Sequence, residues 1–160
     1  MSEVRQQALI EAPPEVVWEL IADVNRHPDW WPDIVEVDCE DFHQGCTYRE
    51  VKKVPFGTDE LNLLVEEADE CQRFRINCLK TGSFLDIGLT AAQDGTFVDA
   101  STGMDPIGFQ YRVFDAIAGR RYFSRWLERS LEAMKRVAAS RVREAESRPP
   151  SQSRPSRSAR

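Results

Sequence analysis

The apolar and polar positions change period near the N-terminus. Residues 4–11 alternate loosely, which predicts a half-buried β-strand. Pro13 and Pro14 follow and suit the first turn of a helix, where a missing backbone N–H costs nothing. The next apolar residues recur at i, i+3, i+4 and i+7 and predict one buried stripe on that helix, formed by Val17, Leu20, Ile21 and Val24.

Two short helices are predicted before the main run of strands. The segment 25–29 should break the first helix, because the residue before Pro28 is disfavoured in the α region. Trp30-Trp31-Pro32 should then close a short second helical turn.

From residue 35 the chain follows a period of two, which predicts six further strands. Their centres lie in the segments 35–39, 47–54, 61–65, 74–78, 85–89 and 96–104. Asp94-Gly95 is typical of a two-residue hairpin turn. The segment 47–54 has no clean apolar face, so it is either an edge strand protected by charge or a strand with a polar group facing the interior.

After residue 107 the helical period returns, and Gly119 is expected to bend or interrupt this segment. The clean stretch 120–146 would span ~40 Å as a helix. A helix of that length with a single apolar stripe should lie across a sheet. The predicted fold class is therefore α+β, with a curved seven-stranded antiparallel sheet wrapped around a long C-terminal helix and two short N-terminal helices.

Length and composition predict one globular domain over residues 1–146, since the chain has 160 residues, of which 41% are apolar. Residues 147–160 are nearly all Ser, Pro and Arg and are expected to form a disordered tail. The net charge is −6, and residues 141–160 contribute +4, so residues 1–140 carry −10. An acidic body disfavours nucleic-acid binding.

No segment has the length and apolarity of a membrane span, and the N-terminus does not resemble a secretion signal, so we expect a cytoplasmic protein. The four cysteines fit no zinc spacing and are expected to be reduced. A disulfide between Cys39 and Cys46 across a hairpin is the alternative. No cofactor and no metal are predicted, and the sequence leaves the oligomeric state open.

Candidate chemistry is sparse. His27 is expected to be a local capping or surface residue; a general base, or a metal site with Asp23 and Asp29, is the alternative. Asp86 and Asp99 should lie on the outer, solvated sheet face, and only a reversed register would make them candidate acids.

Particular residues resemble the START-like (SRPBCC) superfamily, and within it the polyketide cyclase/dehydratase-like group. The segment 10–18, IEAPPEVVW, followed by the Trp-Pro at residues 31–32, is similar to the opening signature of that family. Further matches are the turn at residues 94–96 and the Leu127, Leu131, Lys135 pattern of the last helix. The resemblance covers residues 3–145 and implies a helix-grip fold with a cavity between the sheet and the C-terminal helix.

Three functions follow from this resemblance. The first is binding of a hydrophobic small molecule, lipid-like or polyketide-like, in the internal cavity. The second is an enzyme, a polyketide cyclase or dehydratase, which requires at least two convergent polar side chains deep in the cavity. The third is a protein-interaction module without a ligand, which predicts no cavity beyond packing voids.

The residues expected to line the cavity come from the aromatic pair, the apolar strand faces and the last segment. They are Trp30, Leu63, Ile76, Cys78, Ile87, Leu89, Ala100, Thr102, Tyr111 and Phe114. Thr102 lies on an otherwise apolar face, and its hydroxyl needs a partner that a ligand or a trapped water would supply. No catalytic residue is assigned.

Overall fold

Seven antiparallel strands form one sheet in the computed structural model, which describes residues 2–149. Their order across the sheet is β1-β7-β6-β5-β4-β3-β2. The bounds are β1 Ser2–Ile10, β2 Ile34–Asp38, β3 Thr47–Val54, β4 Gly57–Asp69, β5 Arg73–Cys78, β6 Ser83–Ala92 and β7 Gly95–Met104. The predicted seven-stranded helix-grip fold is confirmed.

The helices lie on one side of this sheet. They are α1 Pro14–Ala22, a 3₁₀ helix Val24–Asp29, α2 Phe109–Phe114, a π-helical segment Asp115–Gly119 and α3 Arg120–Ser147. The last three form a single helix of 39 residues, and Gly119 is the last residue of its π-helical segment. The segment 25–29, predicted as a break, itself forms most of the second short helix, and Trp30 and Trp31 follow it.

The prediction that β3 is an edge strand is wrong. β3 pairs with β4 on one side and with the five-residue β2 on the other, so the edges are β1 and β2. Glu50 and Tyr48 of β3 stand opposite Leu61 and Leu63 of β4. Directly opposite residues share a sheet face, so Tyr48 and Glu50 point into the apolar interior, which was the alternative, whereas Arg49 on the other face pairs with Glu36 and Glu60.

The sheet bends at two register irregularities, between Ile34 and Glu36 in β2 and between Val65 and Glu67 in β4. The last hairpin turns one residue earlier than predicted. Ala92 pairs with Gly95, so Gln93 and Asp94 form the turn. Gly95 has φ +146°, and a Cβ there would lie 2.0 Å from the Ile10 carbonyl oxygen, so this position requires glycine.

Apolar residues of the concave sheet face, α1 and α3 form one core. All four cysteines are free thiols. Burial raises the pKa of Cys39 to about 11, and its thiol forms a hydrogen bond with Cys46. The two thiols considered for a disulfide therefore meet, but they are reduced. Residues 150–160 lie outside the described part of the chain, so the disorder predicted for the tail stays a prediction; Ser147 is the last residue of α3.

Candidate ligand-binding site

Two adjoining cavities lie between the concave sheet face and the C-terminal helix. The inner cavity has a volume of about 60 Å³, and the outer groove has about 620 Å³. Four residues line both spaces and form a throat between them: Lys52, Leu61, Ser83 and Phe123. The groove opens between the β3–β4 hairpin and α2, because Val54 and Pro55 line one side and Tyr111 and Phe114 the other.

Five of the predicted site residues line these cavities. Leu63, Ile76 and Thr102 line the inner cavity, and Tyr111 and Phe114 line the groove. The other five are buried and pack in the core without lining either space; they are Trp30, Cys78, Ile87, Leu89 and Ala100. A physical reason is that α1 packs on β6 and β7, so its apolar stripe fills the space above that part of the sheet. A role of any of these residues in ligand binding stays a prediction.

Thr102 does not need a ligand to satisfy its hydroxyl. The Thr102 O–H donates a hydrogen bond of 2.7 Å to the carbonyl oxygen of Phe84 on the neighbouring strand. This residue therefore offers the inner cavity its methyl group and a hydroxyl that is already bonded.

The polar groups of the cavity come instead from β3. The Glu50 side chain is buried and lines the inner cavity, and burial raises the pKa of its carboxyl to about 7, although the charge of nearby Lys52 acts in the opposite direction. The Lys52 ammonium lies 4.3 Å from the ring centroid of Trp126 and 5.5 Å from that of Tyr122. This spacing is typical of cation–π contacts.

His27 also faces the inner cavity, so the expectation of a surface position is wrong and that of a local cap is right. Its Nε2 lies 2.8 Å from the carbonyl oxygen of Ile21, near the C-terminal end of α1, and caps that helix as an N–H donor. Burial lowers the pKa of the imidazole to about 4. The metal alternative gains no support: Asp29 pairs with Arg26, and residues 2–149 contain no cluster of three or more metal-ligating side chains.

Three tryptophans form the aromatic wall beside His27. Trp31 stacks between Trp30 and Trp126, with ring centroids 4.8 Å and 6.0 Å away. The Trp31 Nε1–H donates to Ser130 Oγ at 2.8 Å, and the Ser130 hydroxyl donates to the Trp126 carbonyl oxygen at 2.8 Å. Trp30 and Trp31 thus lie deep in the protein, and Trp31 lines the inner cavity.

Asp86 and Asp99 lie on the outer sheet face, as the alternation predicts. Burial acts to raise the pKa of Asp86, but hydrogen bonds from Arg73 and Arg75 outweigh it and hold the pKa below its usual value. The hydrogen bond from Arg5 likewise lowers the pKa of Asp99. Both carboxyls are ion-paired away from the cavity and are not candidate acids.

An inward-facing polar group on β3 was expected only as an alternative. The cavity residues that were not predicted are His27, Glu50, Lys52, Ser83 and Trp126. The signal that could have identified Glu50 is the alternation of β3 itself. Tyr48, Glu50 and Lys52 share a face, and pairing that face with the leucines of β4 directs it inward.

Fold and site together define a helix-grip protein with an internal cavity that opens to the surface at one end of the sheet. The chain belongs to the family described as polyketide cyclase/dehydrase and lipid transport, whose sequence profile matches residues 1–139. No curated protein matches the sequence.

Solved structures share this fold at low sequence identity. The di-domain ARO/CYC protein StfQ from the steffimycin biosynthetic pathway aligns with a TM-score of 0.70 and 12% identity, over 88% of this chain and 52% of that one. A Rhodobacter sphaeroides protein aligns with a TM-score of 0.66 and 22% identity, over 87% and 93%. A Staphylococcus aureus protein of unknown function aligns with a TM-score of 0.67 and 15% identity, over 89% and 96%. In the described part of the chain, no helix is long and apolar enough to cross a membrane.

Proposed function

We propose that this protein binds an apolar or amphipathic small molecule, lipid-like or polyketide-like, in the groove and inner cavity. The observation that carries the proposal is a groove of about 620 Å³, which falls within the size range of small-molecule sites. Such a volume is much larger than a packing void, which argues against the interaction module without a ligand. Membership of a family that includes lipid transport supports the same function.

The surroundings of the groove suit an apolar ligand. Large apolar side chains are exposed on the hairpin and helix that border the opening: Val54, Phe56, Phe109 and Val113. Phe56 at the tip of the β3–β4 hairpin is fully exposed. Burying a lipid-sized apolar surface at ~25 cal/mol per Å² can hold a ligand without a dedicated polar motif.

Leu61→Trp is expected to weaken binding at least about tenfold, because the larger ring would fill the throat between groove and inner cavity. Leu64→Trp is the matched control, since Leu64 lies on the opposite, outer face of the same strand and lines neither space. Native mass spectrometry of the purified protein and titration with fatty acids, sterols and aromatic polyketides measure the effect. Absence of binding across this panel in the unmodified protein would remove the proposal.

A second candidate function is cyclisation or dehydration of a poly-ketone substrate by acid–base catalysis. It is favoured by one observation: a buried carboxyl, Glu50, whose pKa of about 7 lies near physiological pH, faces the inner cavity beside Lys52. His27 in the same cavity completes the set of at least two convergent polar groups that an enzyme requires. In this function Glu50 would exchange a proton with the substrate.

Glu50→Gln is expected to reduce the rate of such a reaction about 10²-fold or more, because the amide keeps the shape of the side chain but cannot transfer a proton. Product formation from a reactive poly-β-ketone is followed by liquid chromatography and mass spectrometry, with Glu128→Gln on the exposed face of α3 as the control. Equal rates for Glu50→Gln and the unmodified protein would exclude Glu50 as the acid–base group.

A further inference from the structure

The ammonium group of Lys52 places a positive charge at the throat, where the groove meets the inner cavity. The ammonium rests on the rings of Trp126 and Tyr122 and forms no salt bridge with a carboxylate of residues 2–149. Three N–H donors are therefore directed at ring faces or at the open space. An oxygen atom of a ligand in that space would meet a charged donor that bonds no carboxylate of the described residues.

A second donor lies beside it. The Nε1–H of Trp126 is buried and has no hydrogen-bond acceptor among the described residues, whereas that of Trp31 bonds Ser130. Lys52 Nζ lies 4.3 Å from the centroid of the Trp126 ring that carries this N–H, and both side chains line the inner cavity, so we expect one small polar group, such as a carboxylate, to contact both donors. A buried donor without an acceptor destabilises the protein. A ligand oxygen that accepts hydrogen bonds from both groups would therefore increase the affinity of the ligand.

The charge of the throat favours an anion over a neutral acceptor. The two carboxylates that line the groove are paired with other cations. Asp33 accepts two hydrogen bonds of 3.1 Å from Arg129, and Asp59 pairs with Lys80. Glu50, deeper in the inner cavity, carries its proton for about half of the time at pH 7. The Glu50 carboxylate therefore neutralises the Lys52 charge only in part.

From this juxtaposition we propose, building on the proposed function, that the ligand is an amphipathic carboxylic acid whose carboxylate is held between the Lys52 ammonium and the Trp126 indole N–H. Its apolar part fills the groove along Tyr111 and Phe114. Lys52 and Trp126 then select a chemical class of ligand, while the groove provides most of the apolar burial.

Titration calorimetry with dodecanoic acid and methyl dodecanoate, both below their aggregation limits, tests this proposal. The unmodified protein should bind the acid at least about tenfold more tightly than the ester, because only the acid offers a charge to Lys52. In Lys52→Met the preference should fall to within about twofold, with ester binding preserved as evidence of an intact fold. Trp126→Phe keeps the ring under Lys52 and should lose about three- to tenfold in acid binding.

Lys135→Met on the outside of α3 is the matched control and should keep the full preference for the acid. Equal binding of acid and ester by the unmodified protein, or an acid preference that survives in Lys52→Met, would overturn the inference and leave the proposed function standing. Binding of neither compound, or of any other member of the wider panel, would count against both.

Discussion

Replacing Glu50 by glutamine is expected to give a protein whose free energy of unfolding rises by about 3 kcal/mol between pH 4.5 and 6.5, where that of the unmodified protein is nearly flat. The reason is a pair of buried groups with opposite shifts. The pKa of Glu50 is raised from 4.5 to about 7, and the pKa of His27 is lowered from 6.5 to about 4.

The sign follows from which state binds more protons. Folded Glu50 holds its proton more tightly than the unfolded chain, so its contribution to stability is present below pH 4.5 and lost as the pH rises to about 7. Unfolded His27 is the better base, so its contribution is present above pH 6.5 and lost as the pH falls to about 4. Between pH 4.5 and 6.5 the two slopes, each about 1.4 kcal/mol per pH unit, offset one another.

Urea unfolding at half-unit pH intervals, followed by far-ultraviolet circular dichroism, measures both profiles. Glu50→Gln should remove the slope of Glu50 and leave that of His27, while the control Glu128→Gln on the exposed face of α3 should follow the unmodified protein. A Glu50→Gln profile parallel to that of the unmodified protein would show that this carboxyl does not retain its proton in the folded state.

Trp31→Ala is expected to lower the free energy of unfolding by about 3–5 kcal/mol, the range found for removing a large buried ring. Trp31 is 4% exposed and stacks between two other indoles. Its removal separates the N-terminal helical segment from α3 and leaves the Ser130 hydroxyl without its donor. A loss of that size is a large fraction of the stability of a typical domain.

Trp31→Phe separates the two contributions, because it keeps an aromatic ring in the stack and removes only the N–H donor and one ring of the indole. Its loss should be clearly smaller than that of Trp31→Ala. Trp18→Ala, at a half-buried position on α1, is the control. It should lower the free energy of unfolding by less than Trp31→Ala does. Denaturant unfolding followed by circular dichroism is the measurement; a loss below about 1 kcal/mol for Trp31→Ala would contradict a structural role for the stack.

The sequence predicted the strands well because alternation is a local property. The leucines of β4 and the apolar residues of β5 and β6 each repeat at period two, and the sheet buries one face of each strand along most of its length. The stripe of α3 is equally local, with Leu127, Leu131 and Met134 buried in the core. By contrast, the helix over residues 24–29 was missed, because a 3₁₀ helix that contains Pro28 shows no α-helical period.

About half of the predicted site residues line a cavity, for a reason that no strand pattern contains. Leu85 and Ile87 have the same spacing and the same chemistry, yet Leu85 lines the inner cavity and Ile87 packs in the core. The difference is set by the helices that cover the concave sheet face. They fill the space above some positions and leave it open above others. Packing and lining are indistinguishable in sequence, since both require apolar side chains.

By itself, the sequence determined the order of strands and helices, the single apolar face of each, the outward position of Asp86 and Asp99, and the family resemblance, because these depend on period and on short motifs. Only the tertiary structure decided that β3 is an inner strand and that Glu50, Lys52 and His27 meet the same interior. It also decided that the Trp126 N–H, which has no acceptor among residues 2–149, lies on a ring beneath a cation. These depend on which residues from distant parts of the chain share one space, and a long-range neighbour leaves no periodic trace in the sequence around it.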